Sequence, residues 1–268
     1  MKIGNREFDT ERHTYVMGIL NVTPDSFFDG GKWNDTDRAL RRVEAMLAEG
    51  MDIVDVGGES TRPGYVMISD QEEIDRVTPV IEMIRKNFDV PISLDTYKSE
   101  VAKAGIAAGA DLINDIWGLQ DDPKMAEVIA ESGLPCCLMH NRREADYQNV
   151  MQEVREGLVK IIESARQAGI ADENIILDPG VGFGKTYENN LEILRCLEEF
   201  NMLGYPLLLG CSRKSVIGLA LDLPAEERLE GTLVTTALAV MKGCSFVRVH
   251  DVKENVRAIR MTEAILRR

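Results

Sequence analysis

Positive charge is scarce in this chain: 31 Lys and Arg stand against 45 Asp and Glu, a formal net charge of −14 at pH 7. Such a mean field repels polyanions, so general binding to nucleic acid or to an anionic membrane surface is excluded, and any anionic ligand needs a local cluster of Arg, Lys and His. Long apolar runs are also missing. The first residues, MKIGNREFDTERH, lack the continuous apolar stretch of a secretory signal, and no run approaches a membrane span. The five cysteines, at 136, 137, 196, 211 and 244, form an odd and scattered set without the paired spacing of a zinc site. Reduced thiols and a cytoplasmic location are the expectation. No linker or low-complexity tract divides the 268 residues, of which 44% are hydrophobic. One domain over 1–268 with one sizeable core is expected.

What the chain does have is eight short runs rich in branched apolar residues, each stopping on a polar or glycine-rich turn. They cover 16–31, 51–64, 91–98, 111–118, 135–142, 174–186, 206–215 and 245–252. Such runs read as strands buried along their length and functional at their carboxyl ends. Between and after them, helical patterns occupy 35–49, 70–87, 99–108, 123–131, 144–167, 188–200, 225–242 and 252–266. Ser69 with Glu72 reads as a capping box, Asp122-Pro123 as an N-cap and first-turn proline, and Gly50, Gly109 and Gly169 as helix ends. Eight strand-helix units in series predict an α/β fold, a single (β/α)8 TIM barrel. Residues 2–9 suggest a short N-terminal hairpin around Gly4-Asn5 that plugs one end. The loops 23–34 and 59–68, the longest after the strands, are expected to fold over a site.

The turn DPGVGFGKT tempts a nucleotide-loop reading, but Pro179 stands where GxxxxGK[ST] requires glycine, and the glycines spell GxGxG rather than GxGxxG. What remains is Asp178 at the end of a buried strand, followed by a backbone that lets a flat ligand approach closely. Asp95 ends the third run and Asn114 lies on the fourth. Three such groups at one barrel mouth imply a ligand rich in N–H donors, of which a 2-amino-4-oxo-pyrimidine ring is one. The alternative is that they cap strand ends through backbone hydrogen bonds. Arg248 and His250 alternate on the eighth run and face one side roughly 6 to 7 Å apart, a spacing suited to a di-anion. Together with Ser60, Thr61, Arg62 and the Asn21 amide they form a set able to hold a pyrophosphate and its Mg²⁺. Asp251 reads as a plain helix N-cap, and Arg213 as a solvated charge. In SRKS, Ser215 at a helix N-terminus offers N–H groups to a carboxylate, and Lys214 points toward the mouth. Phe27, Phe183 and Pro63 can supply flat apolar walls, although any one phenylalanine is more often core.

Taken in order, GILNVTPDSFFDGG, GGESTRPG, SLDTYK, INDIWG, LMH, LDPGVGFGKT, GCSRKS and RVHDV resemble the dihydropteroate synthase family over nearly the whole chain. The resemblance implies joining of 6-hydroxymethyl-7,8-dihydropterin pyrophosphate to p-aminobenzoate, giving dihydropteroate and pyrophosphate in folate biosynthesis. It also implies a barrel that is commonly a homodimer, Mg²⁺ as cofactor, and sensitivity to sulfonamides that mimic p-aminobenzoate. By matching position it assigns Asp95, Asn114, Asp178 and Lys214 to the pterin, with Met139 and Ile116 as apolar neighbours. Asn21, Arg62, Arg248 and His250 go to the pyrophosphate, with the metal at Asn21, and Asp25 and Asp29 to the first loop. Thr61, Arg62, Pro63, Phe27, Phe183 and Ser215 go to p-aminobenzoate. Asp95, Lys214, Arg248 and His250 are the expected catalytic group, acting in a dissociative displacement at the methylene carbon. After LMH the stretch NRREADYQNVM is short and charged where the family often has Gly and Pro. Cys211 and Val216 also depart from the family's frequent Thr and Phe. Two other readings share the pterin acids: a corrinoid-dependent methyltransferase, which needs no pyrophosphate clamp, and a pterin carrier without turnover.

Overall fold

A computed structural model describes residues 1–22, 32–59 and 67–267, without the side chains of 32–36. The N-terminal hairpin forms as expected, with β1 (Lys2–Ile3) pairing antiparallel to β2 (Arg6–Glu7). Eight parallel strands follow: β3 (Tyr15–Asn21), β4 (Ile53–Gly57), β5 (Ile92–Asp95), β6 (Leu112–Asp115), β7 (Cys136–Met139), β8 (Ile175–Asp178), β9 (Leu208–Leu209) and β10 (Phe246–Val249). The sheet runs β8-β7-β6-β5-β4-β3-β10-β9, and a parallel bridge from Leu177 to Leu207 joins its two edges. The result is the (β/α)8 barrel. Its strands are short, four residues for most, because the buried apolar run ends wherever a polar rim residue begins.

The helices are α1 (Lys32–Glu49), α2 (Asp70–Asn87), α3 (Ser99–Ala108), α4 (Met125–Ser132), α5 (Val150–Ala168), α6 (Tyr187–Arg195), α7 (Ser215–Leu221), α8 (Leu229–Met241) and α9 (Val252–Leu266). Several expected boundaries move. The helix expected over 144–167 starts only at Val150, where Asn149 caps it by accepting from the Gln152 N–H. The one expected from Pro123 starts at Met125, because the Asp122 carboxylate is spent on the N–H groups of Ser99 and Lys124. The pattern over 188–200 breaks at Cys196 into α6 and a 3-10 segment, Leu197–Leu203. Ser69 accepts from the Glu72 N–H, but the Glu72 carboxylate pairs with Arg76 instead of closing the capping box.

Two apolar layers hold the barrel. Between strands and helices lies the larger one, including Val54, Ile81, Leu94, Ile113, Leu138 and Leu177. Inside the barrel, Met17, Ile53, Leu112, Cys137, Ile176, Leu208 and Phe246 pack with Ile3 and Phe8 of the N-terminal segment, so the hairpin plugs the amino end. Cys136, Cys137, Cys211 and Cys244 are buried and Cys196 is partly exposed, all as free thiols. Burial raises the pKa of each thiol. Among the described residues no helix is long and apolar enough to cross a membrane.

Candidate active site at the barrel mouth

Above the apolar plug the interior turns polar, and strand register decides which groups meet. Asn21, Gly57, Asp95 and Asn114 are consecutive cross-strand partners on β3, β4, β5 and β6. Asp178 pairs with Met139 further round the rim. Gly57 leaves a gap in this row: a Cβ there would lie 3.6 Å from Asp95 Oδ2 and 3.8 Å from Asn21 Oδ1. Side-chain alternation sends Asn114 inward and Asp115 outward. Asp115 accepts from the N–H groups of Trp117 and Leu119 and so shapes its own turn.

Arg248 reaches across the barrel. Its Nε donates to Asp55 Oδ2 at 2.5 Å and its Nη2 to Asp95 Oδ2. Asp55, fully buried, also accepts from Ser93 Oγ at 2.5 Å. Burial works against the Arg248 charge, but Asp55 and Asp95 outweigh it and hold its pKa above the ordinary value. The other oxygen of Asp95, Oδ1, is buried with no hydrogen-bond partner among the described residues. Burial raises the Asp95 pKa to about 7, against the opposing pull of Arg248 and with help from Asp55. Among the described residues nothing donates to it, and a buried acceptor in that state calls for a donor such as a bound ligand supplies.

Beside it sits a second group. Burial raises the pKa of Asp178, offset in part by Lys214, and burial lowers that of Lys214 to about 8, offset by Asp178. Asp178 Oδ1 accepts from the Gly180 N–H at 2.7 Å. Lys214 Nζ donates to the Val181 carbonyl and lies 4.4 Å from the centre of the Phe183 ring. Phe183 and Trp117 flank a small apolar cluster of Tyr97, Ile116 and Met139, separate from both main layers. Acceptors on one side and this cluster on the other suit a flat, polar-edged ring.

His250, one residue past the end of β10, meets Ser212 of the turn that carries Lys214: Ser212 Oγ and His250 Nδ1 are 3.0 Å apart. Ser215 is the first residue of α7 and exposed. Two expectations are corrected here. Arg213 is no solvated charge but a bidentate partner of Asp251, and Asp251, engaged with that guanidinium, makes no side-chain cap to α9. Thr61, Arg62, Pro63, Phe27, Asp25, Asp29 and Ser60 lie outside the described residues.

Sequence reasoning missed Asp55, which shares β4 with three apolar residues; an acid in the middle of a buried strand was the available signal. It also missed the buried set around Lys98. The Lys98 ammonium donates to Glu59 Oε2 at 2.5 Å, Glu73 Oε2 at 2.7 Å and the Ile68 carbonyl at 2.9 Å, while Tyr97 Oη donates to Glu59 Oε1 at 2.7 Å. Among the described residues, no three His, Cys, Asp or Glu side chains converge as a self-sufficient metal site.

The chain is similar to known proteins along its length. The pterin binding enzyme family matches residues 17–250. A dihydropteroate synthase of Clostridium beijerinckii is 59% identical over 269 residues, covering 100% of each chain. The crystal structure of a dihydropteroate synthase from Clostridium difficile in the presence of pteroic acid superposes with a TM-score of 0.95 at 49% identity, over 98% of this chain and 100% of that one. A Yersinia pestis dihydropteroate synthase with a sulfonamide drug complex gives a TM-score of 0.93 at 42% identity, over 100% and 99%.

Proposed function

The chain belongs to the pterin binding enzyme family, and from that premise we propose that it joins 6-hydroxymethyl-7,8-dihydropterin pyrophosphate to p-aminobenzoate, releasing 7,8-dihydropteroate and pyrophosphate. The observation that carries this reading is the buried, partnerless Oδ1 of Asp95 in a mouth shared with Asn114 and Asp178. The amino and ring N–H groups of a pterin supply the missing donors. Ile116 and Met139 form one wall, and Lys214 donates to an acceptor on the ring.

Electrons move simply in this reaction. The bond between the methylene carbon and the pyrophosphate oxygen breaks, its pair leaving with the oxygen. The electron-rich dihydropterin spreads the positive charge, and Asp95, as a carboxylate, stabilises it. The amine of p-aminobenzoate then forms the new C–N bond and loses a proton to the departing pyrophosphate. Arg248 and His250 hold the leaving group, so Arg248 exchanges its partner Asp95 for a pyrophosphate oxygen once substrate is bound. Arg62 joins this pyrophosphate side. Phe183, Phe27, Thr61, Arg62 and Pro63 surround the p-aminobenzoate ring, and Ser215 meets its carboxylate.

Mg²⁺ fits as a substrate-borne ion. Beside the gap at Gly57 the rim places a hard neutral oxygen, Asn21 Oδ1, and Mg²⁺ commonly takes few protein ligands and the rest from phosphates and water. When bound, it neutralises charge on the pyrophosphate oxygens.

The chain works as one domain over 1–268, in the cytoplasm and as a homodimer. Supporting the dimer, Leu219 of α7, Val234 and Met241 of α8, and Met261 and Ile265 of α9 are exposed on neighbouring helices. Sulfonamides compete for the p-aminobenzoate side. The direct assay supplies the dihydropterin pyrophosphate, p-aminobenzoate and Mg²⁺ and follows pyrophosphate release; methyltetrahydrofolate with a corrinoid acceptor is the control. Pyrophosphate release without methyl transfer supports the reading, and the reverse overturns it.

A further inference from the structure

The strand ending in Met139 leads to a residue that the proposed reaction does not use. His140 is buried, with its ring against α5, where only a glycine fits: a Cβ on Gly157 would lie 2.4 Å from His140 Cδ2. Facing it is Lys185, at the end of the glycine turn after β8. The Lys185 ammonium lies 3.2 Å from His140 Nδ1 and donates to the His140 carbonyl at 3.3 Å and the Phe183 carbonyl at 3.0 Å. Burial lowers the Lys185 pKa to about 7, against the pull of Asp178, and in the protonated form its three protons match these three acceptors. Burial, with Lys185 and Arg142 adding to it, lowers the His140 pKa to about 3, so the ring is neutral, and Nδ1 accepts from Lys185 in the tautomer that carries its proton on Nε2.

The turn is seated tightly on this support. Gly180 and Gly184 have φ of +74° and +52°, and a Cβ on either would come within 2.0 Å of the His140 or Arg142 carbonyl oxygen. From its other side the same turn presents Val181, whose carbonyl accepts from Lys214, and the Phe183 ring beside that ammonium. On the pterin side, Asp95 and Asn114 stand on strands away from the turn, while Asp178 and Lys214 bond to it through the Gly180 N–H and the Val181 carbonyl.

We infer that Lys185 is a positioning residue for the p-aminobenzoate side: held by His140 and the Phe183 carbonyl, it fixes the Phe183 wall against Lys214. The inference rests on the reaction proposed above. It explains the short, charged segment after His140 as the seat of the turn, with Arg142 packed on Tyr147 and paired to Glu153.

The test is steady-state kinetics of Lys185→Met, which keeps the methylene stem and removes the donors. The KM for p-aminobenzoate rises about tenfold, the loss expected for hydrogen bonds to one charged group, and rises by clearly more than the KM for the dihydropterin pyrophosphate, which Asp95 and Asn114 still hold. An unchanged KM for p-aminobenzoate, or equal rises in both, overturns the inference. Should that variant fail to fold, the same split is read from His140→Leu, with His140→Asn, which keeps an acceptor near Nδ1, restoring the wild-type value. Equal behaviour of the two His140 variants counts against the inference. The wild-type enzyme is measured first. No turnover there overturns the function reading and this inference together; normal turnover with unaltered variants overturns the inference alone.

Discussion

Asp95 carries the sharpest residue-scale predictions. Its carboxylate form stabilises the cation, yet burial holds its pKa near 7 in the ligand-free protein. kcat/KM for the dihydropterin substrate therefore falls as pH drops through about 7, because protonation removes the negative charge and one acceptor; this ratio reports the free enzyme. A pH–rate series on wild type and Asp95→Asn checks it. The variant loses the acid limb and about 10²-fold to 10³-fold in kcat, the usual cost of one charge-stabilising group. A wild-type kcat in Asp95→Asn would refute that role. At this scale the place of Asp95, Asn114 and Asp178 at the mouth was legible because each breaks an apolar run at its carboxyl end, and that of Lys214 because it lies in the turn between a strand and a helix. Asp55 was not, because its meaning comes from Arg248, 193 residues away in the chain.

Elements are held by polar groups as much as by apolar layers. Lys98 precedes α3 and meets Glu59 at the end of β4, Glu73 in the first turn of α2 and the carbonyl of Ile68, so one ammonium joins three parts of the chain. Burial alone would lower the Lys98 pKa, but the two glutamates outweigh it and raise it. Lys98→Met leaves both carboxylates buried without their cation and should cost about 3–5 kcal/mol in denaturant unfolding; a change of less than about 1 kcal/mol would show the set to be dispensable. Gly180→Ala is expected to be destabilising, since positive φ and a carbonyl 2.0 Å from the new Cβ leave nothing flexible to yield. The start at Met125 escaped sequence reading because the Asp122 carboxylate is drawn to the Ser99 N–H, 23 residues away, whereas the start at Val150 had a local signal in Asn149, which accepts from the Gln152 N–H.

For the whole molecule, the alternation of eight apolar runs with helical patterns was enough to predict the barrel, and residues 2–9 around Gly4-Asn5 its plugged end. The outer surface was less legible. Exposed Leu219, Val234, Met241, Met261 and Ile265 fall within ordinary helical patterns and stand out only once their faces are seen to lack cover. If these helices form the dimer contact, Val234→Glu with Met261→Glu shifts sedimentation to the monomer without loss of fold, while an unchanged dimer places the contact elsewhere. Net charge of −14 makes the Arg248 and His250 corner the more necessary for an anionic substrate. The central claim is that this barrel couples loss of pyrophosphate to capture of p-aminobenzoate. It is tested most directly by quantifying both products in one reaction with Mg²⁺ and both substrates. Dihydropteroate and pyrophosphate appearing in equal amounts is the predicted result; folded protein that yields neither, or pyrophosphate without dihydropteroate, contradicts it.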